Sequence, residues 1–139
     1  MTHQQRVVFV SRARQGLSFT DIQAILGNAT VHNRRCDVTG MLSFTGSHFM
    51  EIMEGPDEAV TALLLAVDKD ERHSGLRLVD QHAIEHRSFT GWQLLGVDRL
   101  DLADAVQALY ESPAPTQAAI EALLHRLLYE QEFCGLLRA

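Results

Sequence analysis

A chain of 139 residues with 18 acidic and 12 basic side chains, net charge −6, is long enough for one compact core and short for two. With 46% apolar and 22% charged residues it reads as an ordinary globular domain, and its acidic balance excludes the basic face that binding through nucleic-acid phosphates requires. Cys36 and Cys134 lie far apart, the opening MTHQQRVVF is no secretory leader, and no apolar run nears the roughly 18 residues of a membrane span, so a reducing, cytoplasmic setting without membrane contact is expected.

The first element is RVVFV (6–10), β-branched and aromatic, which predicts a buried strand. In SFTDIQAILGNA (18–29), Phe19, Ile22, Ile25 and Leu26 fall at helical spacing, with Ser18 or Thr20 as the cap. CDVTGMLSFTG (36–46) and HFMEIMEG (48–55) alternate and meet at Thr45-Gly46-Ser47, a hairpin signal. Pro56 opens a second amphipathic helix, PDEAVTALLLAVDKDE, with acids in its first turn. LRLVDQHAI (76–84) and WQLLGV (92–97) predict two further strands. The order β-α-β-β-α-β-β predicts an α+β, ferredoxin-like sheet with both helices on one face. After Val97, LDLADAVQALYES and TQAAIEALLHRLLYEQEF carry the apolar stripes of two additional C-terminal helices, interrupted by Pro-Ala-Pro. The expected organisation is therefore a domain over 1–98 and a helical extension over 99–139 that packs on the domain or forms an interface.

Familiar signatures of catalysis are absent: there is no G-x-G-x-x-G, P-loop, C-x-x-C or H-E-x-x-H, so neither enzyme nor metal site is expected. His82 and His86 are four apart on a probable-strand pattern of period two, which makes a poor ligand pair. A small acylphosphatase-like enzyme would need a phosphate-cradling loop and a water-positioning Asn, and neither Asn28 nor Asn33 is marked for that task.

Several unusual pieces nonetheless fall in one frame. They are a strand followed by Ser11, then Asn33 a few residues before VTGML, then F-x-x-x-x-EG from Phe49. D-x-RH at Asp70–His73 and R-x-F-x-x-W at Arg87–Trp92 complete the set. From about Arg6 to Leu95 the chain resembles the BLUF family of blue-light sensors that use FAD. The resemblance implies a flavin ring held between the two helices on the sheet face. Ile25 and Val67 match the apolar positions on either side of that ring, although both are also plain core positions. Asn33, with His32 beside it in what reads as a loop after the first helix, matches the residue at the flavin's pyrimidine edge. Asp70, Arg72 and His73 match the polar set of the D-x-RH motif, and Phe49 belongs to the same frame.

Two positions depart from the pattern. The family's photochemistry uses a Tyr on the first strand and a Gln on the third, and here Phe9 and Glu51 occupy those places. Phe fills the volume without an ionisable O–H, and Glu lacks the amide donors unless protonated. A buried carboxylate without partners is costly, so Glu51 is expected to be neutral. The resulting expectation is an FAD-binding, non-enzymatic regulatory module with an impaired or absent photocycle. It would act through an unidentified protein partner and its own homo-oligomer. The alternative is a ferredoxin-like interaction module that has lost flavin altogether.

Overall fold

The strand that opens the fold begins earlier than its apolar run: Gln4–Ala13 form β1, with Val7 to Ser11 buried throughout. A computed structural model of the chain describes residues 3–95 and 100–111 together with Ala118, Ala122 and His125. The elements are β1 (Gln4–Ala13), α1 (Phe19–Arg35), β2 (Thr39–Phe44), β3 (His48–Pro56), α2 (Asp57–Asp68), β4 (His73–Ile84), β5 (Trp92–Leu95) and α3 (Leu100–Glu111). The strands form one five-stranded sheet in the order β4-β1-β3-β2-β5. β5 runs parallel to β2, and the other neighbours are antiparallel. This is the ferredoxin-like α+β arrangement expected from the order of periods.

Strand alternation sorts the core into two faces. Val7, Phe9 and Met53 point towards α2 and pack with Val60 and Leu63. Leu42, Phe49 and Trp92 pack with Ile22 and, more loosely, with Ile25 and Leu26 of α1. On the opposite face Val8, Val10, Met41, Met50 and Ile52 form one continuous cluster closed by Phe89 and by Val106 of α3. The first C-terminal helix therefore covers the second sheet face. The second expected one, over 116–133, lies almost wholly outside the described residues. Among the described residues no helix is long and apolar enough to cross a membrane.

Besides β1, β4 begins earlier than expected, at His73, α2 ends at Asp68, and the junction of α1 and β2 differs most from the sequence reading. His32 and Asn33, expected in a loop, lie in the last turns of α1, which runs on to Arg35. No Gly or Pro interrupts ATVHNRR, and the basic side chains of the last turn suit a helix C-terminus. The helix ends in a Schellman arrangement: Val38 N–H donates to the Asn33 carbonyl at 3.0 Å and Asp37 N–H to the Arg34 carbonyl at 3.3 Å. Asp37, at φ 58°, takes the left-handed position usually given to glycine. Cys36–Val38, expected to begin a strand, form this cap, and β2 starts at Thr39. At the other end Ser18 accepts from Asp21 N–H at 3.1 Å while the Asp21 carboxylate accepts from Ser18 N–H at 3.0 Å, a reciprocal cap. Gly40 has φ 146° and sits so close to the Ile52 carbonyl that a Cβ would overlap it, so any side chain there would part β2 from β3.

β4 is the longest described strand and stands at one edge of the sheet. Its register against β1 shifts twice, between Val8 and Phe9 and between Val10 and Arg12, each time adding a residue to β4.

Candidate functional site

On the face covered by α1 and α2 the core is divided. Between the cluster under α2 and the cluster under α1 lies a cavity of about 220 Å³. Its floor is the sheet: Phe9 and Ser11 of β1, Leu42 of β2, and Phe49 and Glu51 of β3. Ile25, Asn28, Ala29, His32 and Asn33 line it from α1, and Leu63, Ala66 and Val67 from α2. Asp70, Arg72 and His73 close one end from the turn into β4. The ten residues singled out in the sequence (Phe9, Ile25, His32, Asn33, Phe49, Glu51, Val67, Asp70, Arg72 and His73) all line this one space.

The walls are apolar and the polar groups are few. Phe9 lies directly opposite Glu51 across the β1–β3 pair, and Leu42 opposes Glu51 from the other side. Asn33, 3% exposed, donates from Nδ2 to Glu51 Oε1 at 3.3 Å, a bond made possible because α1 continues past His32. Burial pushes the Glu51 carboxyl from its ordinary 4.5 up to about 7, while the Asn33 amide pulls weakly the other way. At the cavity end Arg72 folds onto Asp70, with Nε 2.9 Å from Oδ1 and Nη2 2.5 Å from Oδ2. The hydrogen bond from Arg72, and then its charge, hold the Asp70 carboxyl below the usual range. His73 Nε2 meets the Val67 carbonyl at 2.7 Å, which makes that nitrogen the donor. Two buried polar atoms on the lining, Ser11 Oγ and His73 Nδ1, have no partner among the described residues. A buried orphan polar atom costs free energy unless something fills the cavity and bonds to it.

A family model described as "Sensors of blue-light using FAD", BLUF, matches residues 5–95. The chain belongs to the BLUF family. BLUF proteins bind FAD, and the cavity fits a flavin ring. It offers apolar side chains on both sides, an amide and a carboxyl at one edge, and the two unpartnered buried atoms. Over 107 residues the chain is 29% identical to the Blue light- and temperature-regulated antirepressor BluF of Escherichia coli (strain K12), covering 76% of this chain and 27% of that protein. Over 89 residues it is 30% identical to the Photoactivated adenylate cyclase subunit beta of Euglena longa, covering 63% of this chain and 10% of that one. The match thus spans about a quarter or less of these curated relatives. Among solved structures, the dark state of BlrB, a BLUF protein, superposes with a TM-score of 0.78 at 24% identity, over 94% of this chain and 98% of that one. The photo-activated state of BlsA gives 0.76 at 20% identity, over 90% and 94%. At such identities these two likenesses speak for the BLUF fold alone.

Reading the sequence missed Ser11, Asn28, Ala29, Leu42, Leu63 and Ala66 as lining residues. Asn28 and Ala29 continue the stripe from Ile25 to His32 at helical spacing, and Leu63 lies three and four residues before Ala66 and Val67. Spacing of this kind marks the inward face of a helix without separating a cavity wall from ordinary core. The BLUF motif letters outside the cavity prove structural. Glu54 of F-x-x-x-x-EG pairs with Arg6 at 2.8 Å and accepts the Ser88 and Phe89 N–H groups at 2.8 and 2.7 Å. Arg87 of R-x-F-x-x-W donates to Gln4 at 2.6 Å and reaches Asp37 at 3.3 Å.

Proposed function

We propose that this protein is a flavin-binding regulatory module of the BLUF type whose normal photocycle is impaired, and that it signals through contact with another protein. The observation that carries this reading is the placement of Phe9 and Glu51 opposite each other on the cavity floor. A bound FAD would supply the absorption of blue light. Ile25 and Val67 would flank its ring, and Asn33 and Glu51 would meet its polar edge. Phe9 has no proton to release beside that ring, and Glu51 has no amide to rearrange. Arg72, tied to Asp70, would close the cleft as a pre-formed neutral pair, and His73 Nδ1 and Ser11 Oγ would take their missing hydrogen bonds from the ligand.

In this reading residues 1–98 form the flavin domain and 99–139 the extension through which the state of the domain reaches a partner or a second copy. The protein itself is not an enzyme and works in the cytoplasm. The packing of Val106 into the core of the far sheet face supports such a route, because it gives the extension a seat on the strands that floor the cavity. The names of the relatives, an antirepressor and an adenylate cyclase subunit, support a regulatory output.

Difference spectra before and after blue light, on protein loaded with FAD, test the proposal. The unmodified protein should show no red shift of the flavin band, Glu51→Gln alone should remain silent, and Phe9→Tyr combined with Glu51→Gln should regain at least part of the shift. A reversible red shift in the unmodified protein would overturn the assignment of Phe9 and Glu51.

A further inference from the structure

Two carboxyls are buried among the described residues, Glu51 and Glu54, and only Glu54 has a cation at its side. Glu51 is flanked across the sheet by Phe9 of β1 and Leu42 of β2 and bonded by Asn33 of α1, and α2 lines its cavity with Leu63, Ala66 and Val67, all uncharged. The titratable groups sharing the cavity are His32 on α1 and Asp70, Arg72 and His73 at its end. Arg72 is spent on Asp70, and His73 is tied by Nε2 to the Val67 carbonyl. Asn33 is therefore the side chain that steadies a charge on Glu51, through a single bond of 3.3 Å.

Protonation changes what this position can recognise. A neutral carboxylic acid offers one O–H donor and one carbonyl acceptor, the same pair of functions as the amide of a glutamine. The ionised form offers acceptors only. The polar edge of a flavin ring carries two carbonyl oxygens and an unprotonated ring nitrogen, with a single ring N–H between the carbonyls. The ionised form can accept from that one N–H but has no donor for the ring's acceptors, which in an apolar-walled cavity would be left unpaired against a charge. We propose that Glu51 must carry a proton for a flavin ring to seat in this cavity, so that flavin uptake is coupled to protonation and weakens as the pH rises. The coupling rests on the flavin reading given above and adds its regulation. The proton comes from solvent and resides on the Glu51 oxygen not engaged by Asn33. The direction agrees with burial, which places the carboxyl at about 7 before any ligand arrives.

The test is a titration of flavin-free protein with FAD at pH values from about 6 to about 9, read by quenching of flavin fluorescence. If only the protonated form binds, the dissociation constant is level at low pH and rises towards ten-fold per pH unit above the Glu51 midpoint. Glu51→Gln should bind at every pH with a level profile. Calorimetry in two buffers of different ionisation heat should show proton uptake on binding by the unmodified protein near neutrality, and none by Glu51→Gln. Infrared spectra of the unmodified protein, which need no variant, should show a protonated carboxyl band that fades through neutral pH and returns when FAD is added. A level profile in the unmodified protein, or a slope that survives in Glu51→Gln and so belongs to His32 or His73, would overturn the coupling while leaving flavin binding intact. Failure of both proteins to bind FAD at any pH would overturn the flavin reading itself, and the coupling with it.

Discussion

Glu51 and Glu54 sit three residues apart on β3, both buried, and the odd spacing sends them to opposite faces of the sheet. On the α3 face Glu54 is surrounded by donors: the Arg6 guanidinium at 2.8 Å and two backbone N–H groups of the segment leading into β5. On the α1/α2 face Glu51 has an amide and an open cavity. The same side chain thus holds a loop in one place and faces an open cavity in the other. The difference shows how to separate structure from function when two acidic residues look alike in sequence. Glu54 has its hydrogen bonds completed within the chain, and Glu51 has them left open towards a cavity.

The comparison breaks most visibly if the cation is taken from Glu54. Arg6→Met leaves that carboxylate buried and unpaired, and chemical denaturation should show a loss of about 3–5 kcal/mol. A loss under about 1 kcal/mol would mean that the backbone donors suffice.

Next in size is the pH dependence that Glu51 imposes. Its folded-state value, about 7, is raised above the ordinary 4.5, so the folded chain holds a proton that the unfolded chain releases. The stabilisation is fully present below about pH 4.5, declines as the pH rises towards about 7, and is then gone, a change of about 3 kcal/mol. Denaturation midpoints of flavin-free protein against those of Glu51→Gln across this range should diverge by that amount. Parallel curves would show that Glu51 is ionised in the fold.

The smallest effect is expected at a third carboxylate, which is paired but exposed. Asp37 lies 3.3 Å from Arg87 with its side chain 78% exposed. Asp37→Asn keeps a residue that accepts the left-handed conformation, and stability should change by less than about 0.5 kcal/mol. A larger loss would show that the Arg87 contact governs the end of α1.

Much of this was legible in the sequence, and the gaps have identifiable causes. The alternation of β1, β2 and β3 and the helical spacing of α1 and α2 are local patterns, and they yielded the fold, whereas the ten lining residues came from the resemblance to the BLUF family. The length of α1 was underestimated because its stop signal is an aspartate in a conformation that glycine usually adopts. With the helix cut at Ala29, Asn33 was placed in a loop. Its link to Glu51 then rested on the family resemblance and not on the helical phase. The partnership of Arg6 with Glu54 joins residues 48 apart, and no spacing rule announces it. Nor does any local pattern in LRLVDQHAI mark the shifted register of β4, which exists only against β1. Orphan atoms such as Ser11 Oγ and His73 Nδ1 emerge only once every neighbour has a position.

The irregular β4 edge also bears on how copies of this protein meet. A long, flat, unpaired strand is a template on which a second chain can extend the sheet, and from there aggregates grow. β4 is twelve residues long, and one of its sides is unpaired among the described strands. Its two extra residues bend and twist that side. Sheet extension along β4 is thereby disfavoured. A homo-oligomer of this chain is expected to assemble through helices or faces, with its strands kept apart.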